Sequence, residues 1–89
     1  MSSENKINLY KAVLSLKNED ACRRFFKDIC TPKELKDLED RLMVAQLLLK
    51  GLTYEKITEK TGMSSATIAR VNRALVYGEG GYKEVLTKD

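Results

Sequence analysis

Apolar residues along this 89-residue chain recur at spacings of three and four, and nowhere in a sustained alternation of two. That periodicity predicts helices and no strands. Ile7, Tyr10, Val13, Leu14 and Leu16 place a first helix over residues 4–17. "NED" follows, with Asn18 suited to cap a second helix and Glu19 and Asp20 suited to its positive end. Cys22, Phe25, Phe26 and Ile29 then fall at i, i+3, i+4 and i+7, and both phenylalanines are expected in the core. "TPKE" at 31–34 is the strongest punctuation: Thr31 caps, Pro32 suits the first helical position, and Glu34 stands three residues after the cap. The helix that starts there is expected to be long, with Leu35, Leu38, Leu42, Ala45 and Leu49 in one stripe. Met43, Leu47 and Leu48 widen the stripe beyond what one small core needs. This predicts a central helix covered from more than one side, as by a second chain, and ended by Gly51.

Past Gly51 the elements shorten. "TYEKITEK" runs to Thr61, "SSATIARVNRALVY" from Ser64 to about Tyr77, and "YKEVLTK" follows the Gly-rich break "GEGG". The fold class is therefore all-α, six helices in one domain: residues 1–52 as a helical core, 53–76 as a tight helix pair, and 77–89 as a C-terminal helix.

The helix pair has the pattern of a helix-turn-helix. Gly62 supplies a left-handed turn residue without steric cost. Ile57 points into the angle between the helices, Met63 plugs the turn, and Ser64 caps the second helix. Ile68, Val71 and Leu75 give that helix an inner face, which leaves Ser65, Ala66, Ala69, Arg70 and Arg73 outward. Such a helix fits a DNA major groove, with small residues allowing close approach to base edges. Ala66 and Ala69 suit thymine methyls, and Ser65 suits hydrogen bonding to more than one base. Lys56, Lys60 and Arg73 are candidate phosphate contacts, and Thr53 either caps its helix or faces a phosphate. Two packed surface helices with no ligand are the plain alternative.

Composition narrows the choice. The chain is 43% hydrophobic and 33% charged, a globular balance, with a formal net charge of +3. Lys56, Lys60, Arg70 and Arg73 against Glu55 and Glu59 make the helix pair mildly basic. Histidine is absent, which removes the commonest general base and nitrogen metal ligand, and no nucleophile–base pair or phosphate loop is visible. An enzyme is not expected. Cys22 and Cys30 form no CxxC pair and read as small buried residues in a reducing compartment rather than a disulfide. The polar start "MSSENK" and the lack of a long apolar run predict a cytoplasmic protein with no membrane association.

"TPKELKDLEDRLMVAQLLLKGLTYEKITEKTGMSSATIARVNRAL" resembles the core of the Trp repressor family, and "VNRALVYGEGGY" is similar to its YerC/YecD-type branch. The resemblance covers residues 31–82. It implies an intertwined, all-helical homodimer and a transcriptional repressor with one reading head per subunit on double-stranded DNA. It also implies a small-molecule corepressor between Arg41 and Arg70, with Thr31 and Thr67 matching the pocket's threonines. Val71 and Ala74 stand where the family has a pocket glycine and a ligand-holding serine, which argues against tryptophan itself. No other cofactor and no metal is implied. Basic family positions on the first helix of the pair are Glu55 and Thr58 here, so a different operator is expected. Glu55 and Glu59 also motivate a competing reading, a helical dimer that binds another protein and not DNA.

Overall fold

The computed structural model describes residues 7–87. Among the described residues lie six α-helices and no strand: α1 (Leu9–Leu14), α2 (Glu19–Ile29), α3 (Pro32–Leu49), α4 (Tyr54–Thr61), α5 (Ser65–Tyr77) and α6 (Gly81–Leu86). The chain divides into two compact units, one up to Leu35 and one from Lys36 onward.

In the first unit, side-chain caps set the helix boundaries. The Asn8 carboxamide oxygen accepts from the Lys11 N–H at 2.8 Å and fixes the start of α1. The Ser15 hydroxyl donates to the Ala12 carbonyl at 2.7 Å where the helix ends. The helix expected over 4–17 is thus held to Leu9–Leu14, with Ile7 and Leu16 outside it, while residues 4–6 lie outside the described residues. Asn18 caps α2 as expected, accepting from the Ala21 N–H at 2.8 Å, and Asp20 pairs with both Arg23 and Arg24 on the exposed face. Phe25 and Phe26 meet edge to face, with centroids 5.5 Å apart, yet both are half-buried rather than core. Cys22 and Cys30 are likewise free and half-buried rather than buried. Thr31 and Glu34 close a reciprocal capping box at the start of α3: the Glu34 N–H donates to the Thr31 hydroxyl at 3.1 Å, and the Thr31 N–H donates to the Glu34 carboxylate at 2.8 Å.

The second unit is built on a core of six buried side chains: Val44 and Ala45 from α3, Ile57 from α4, and Ile68, Val71 and Leu75 from α5. Leu47, Leu48, Leu52, Met63, Tyr82 and Leu86 pack around it. Ala45 of the expected α3 stripe is buried, with Val44 beside it, while Leu38, Leu42, Met43 and Leu49 of the same apolar arc are exposed in the single chain. α3 carries apolar side chains around much of its circumference, and within this unit the core takes up the side with Val44 and Ala45, flanked by Leu47 and Leu48. The helix ends in a Schellman arrangement, with Leu52 N–H donating to the Leu47 carbonyl (3.2 Å) and Gly51 N–H to that of Leu48 (3.0 Å).

Candidate nucleic-acid interface

The helix pair is assembled from its ends inward. Thr53 caps α4, its hydroxyl accepting from the Lys56 N–H at 3.2 Å. Gly62 closes α4 with φ +74°, its N–H donating to the Thr58 carbonyl at 2.8 Å. Ser64 caps α5: its oxygen accepts from the Thr67 N–H at 3.2 Å, and the two side-chain hydroxyls lie 3.2 Å apart. Three residues, Gly62, Met63 and Ser64, therefore make the whole turn.

A further residue locks that turn. The Thr61 hydroxyl donates to the Ile57 carbonyl at 2.7 Å and accepts from the Met63 N–H at 3.1 Å. It spans from the last turn of α4 to the residue beyond the glycine, and so holds the chain's exit direction. Sequence reasoning missed it, although a threonine directly before a helix-ending glycine has the side chain for this bridge.

The two faces of α5 are cleanly divided. Ile68 is fully buried, and Val71 and Leu75 are buried with it. Ser64, Ser65, Ala66, Ala69, Arg70 and Arg73 are exposed, as expected, and Thr67 is half-buried at the edge. Ala66, Ala69, Arg70 and Arg73 together line a shallow depression of about 450 Å³ on this outward face. No acidic side chain lies in the first turn of α5, whereas α2 and α4 each carry one or more. The positive end of α5 is thus not offset by its own first turn. Lys56 and Lys60 are exposed on α4, as are Glu55 and Glu59.

The expected pocket residues have separate local roles. Thr31 caps α3, Thr67 completes the α5 cap, Arg41 is half-buried on α3, and Arg70 lines the outward depression. Val71 is buried in the core and Ala74 is exposed. Among the described residues no group of three or more metal-ligating side chains occurs, and no helix is long and apolar enough to cross a membrane.

Comparison with known proteins converges on one family. The family model described as Trp repressor protein matches residues 5–89. An uncharacterized protein from Bacillus subtilis, YerC, is 48% identical over 80 residues, covering 90% of this chain and 77% of that one. A Trp operon repressor homolog from Chlamydia trachomatis is 33% identical over 85 residues, covering 90% of each. Among solved structures, a TrpR-like protein from Eubacterium eligens superposes with a TM-score of 0.85 at 49% identity, covering 89% of this chain and 81% of that one. With the family model matching residues 5–89 and relatives this similar over most of both chains, the chain belongs to the Trp repressor family.

Proposed function

We propose that the chain is a sequence-specific DNA-binding transcriptional regulator, a repressor, that acts as a homodimer and reads the major groove with α5. The observation that carries this reading is the division of α5: a buried face locked to α4 through Gly62, and a small-residue, arginine-bearing face left outward. A rigid helix presenting side chains from its N-terminal half is what groove reading requires. Ser65, Ala66 and Ala69 face the bases, and Lys56, Lys60, Arg73 and the Ser64 and Thr53 caps lie toward phosphates. The exposed Leu38, Leu42, Met43 and Leu49 of α3 support a second subunit, since an apolar face of this extent is costly in water.

A small effector near Arg41 and Arg70 fits this reading as the device that sets the angle of the head. Tryptophan is not the effector favoured. Val71 is 2% exposed within the core where the family's pocket has a glycine, and Ala74 has no polar side-chain atom to hold an amino group.

The test is selection of the purified chain on a random duplex pool, with and without tryptophan. An enriched palindrome with half-sites about one helical turn apart supports a dimeric reader. Replacing Arg73 by alanine is expected to flatten the slope of log affinity against log salt by about one unit. No enrichment in either arm, together with a stoichiometric protein partner in pull-down, favours the protein-binding reading that Glu55 and Glu59 suggest.

A further inference from the structure

We propose that Thr61 is a positioning residue for DNA recognition: its hydroxyl holds α5 at a fixed angle to α4 and so keeps the reading head ordered before DNA arrives. The proposal rests on the DNA-binding reading above.

A tight turn makes two separate demands. Each helix end must be satisfied, and the two helices must be held at one angle to each other. Gly62 and Ser64 meet the first: the Gly62 N–H closes α4 on the Thr58 carbonyl, and the Ser64 hydroxyl caps the Thr67 N–H of α5. Neither bond crosses the turn. Crowding at the glycine does not fix the direction either, since a Cβ added at Gly62 meets nothing within 4 Å. The Thr61 hydroxyl does cross it. Its Oγ1 donates to the Ile57 carbonyl at 2.7 Å and accepts from the Met63 N–H at 3.1 Å. Among the described residues no backbone carbonyl takes the Met63 N–H, so the hydroxyl is its acceptor.

Both ends of this relay are anchored. Ile57 is fully buried in the core, and Met63 packs against that core. Threonine is stiff at χ1, and the bond to the carbonyl four residues back selects its rotamer. A hydroxyl that donates and accepts at once strengthens both bonds. The clasp is also part-buried, where water competes poorly for it.

Base reading needs the groove helix held to within about 0.5 Å of one orientation, whereas attraction to phosphates tolerates many. An unfastened head occupies the reading orientation for only part of the time, and its apparent affinity falls by that fraction. Losing the partner of one part-buried N–H is worth a factor of about 5–10 in such an equilibrium. An effector that sets the angle of the head then turns α4 and α5 as one body.

The experiment compares the full chain with Thr61→Val, which keeps the shape without the hydroxyl, and Thr61→Ser, which keeps the hydroxyl without the methyl. Each is titrated, at a temperature where circular dichroism shows it folded, on the operator enriched by selection and on a random duplex of equal length. Thr61→Val is expected to bind the operator about 5–10-fold more weakly and the random duplex equally. Thr61→Ser is expected to restore most of the operator affinity. Amide hydrogen exchange reads the clasp without DNA: the Met63 N–H should be protected in the parent and exchange about 10-fold faster in Thr61→Val. Unchanged operator affinity in Thr61→Val, a loss that serine does not rescue, or an equal loss on both duplexes overturns the proposal and leaves DNA reading intact. So does an unprotected Met63 amide in the parent, a measurement that needs no variant. A parent chain that enriches no duplex fails the DNA-binding reading, and the proposal with it.

Discussion

Replacing Gly62 by alanine isolates the conformational demand of the turn. Gly62 sits at φ +74°, and a Cβ added there meets nothing within 4 Å. Steric crowding by neighbours therefore contributes nothing, and the cost is that of a left-handed backbone alone. For alanine this is about 1–2 kcal/mol. Restricting the unfolded chain returns about 0.4–1 kcal/mol. The net loss is about 1 kcal/mol, which lowers Tm by roughly 4–8 °C in a domain of this size. Asparagine tolerates the left-handed region better and should lose less than alanine. Thermal unfolding followed by far-ultraviolet circular dichroism at matched protein concentration provides the measurement, since association of the proposed subunits would also shift Tm. An alanine variant as stable as the parent would refute the argument. So would an asparagine variant less stable than the alanine one, because bulk and not backbone geometry would then set the cost.

Further outcomes follow from the same geometry. Ile57→Ala removes a fully buried side chain from a core of six and should cost about 2–5 kcal/mol in chemical denaturation, against about 0.5–1.5 for Ile57→Val. Ser64→Ala should lose about 1 kcal/mol of stability through the Thr67 N–H it caps. Ser64→Asp should keep that stability but, on the proposed reading, bind DNA more weakly, because it places a carboxylate at the end of α5 proposed to face phosphates; equal affinity in a binding titration would remove Ser64 from the interface. Gly78→Ala should destabilise more than Gly62→Ala in thermal melts, since its Cβ would lie 2.3 Å from the Ala74 carbonyl oxygen, a fixed backbone atom.

What was legible in the sequence was short-range. Asn18, Thr31 with Glu34, Thr53 and Ser64 cap where their residue types suggest, because a cap is decided within three residues. The inward and outward faces of α5 were equally legible, as Ile68, Val71 and Leu75 lie on one side only. The site inherits that clarity, since the outward set is simply the complement of the core set. The central helix was not legible in this way. Its apolar residues surround it, so periodicity placed Ala45 in the stripe but could not single out Val44 or tell which of the stripe this unit itself buries. That choice is made by which neighbours arrive, and those lie far along the chain. The overlong first helix failed for the opposite reason: Ile7 and Leu16 continue the apolar spacing, but the Asn8 and Ser15 side chains stop the backbone first. The Thr61 bridge escaped because it joins two backbone groups that become neighbours only once Gly62 has turned the chain.

The separation of roles on α5 also bears on how such a protein changes over time. Ser65, Ala66, Ala69 and Arg73 belong to neither the core nor the cap hydrogen bonds that hold the helix in place. Surface substitutions of that kind usually shift stability by no more than about 0.5 kcal/mol. A lineage can therefore exchange these four residues, and with them, on the proposed function, its target site, while the scaffold persists unaltered. A library randomised at positions 65, 66, 69 and 73, with glycine and proline excluded, should consist almost entirely of folded molecules that differ in what they read.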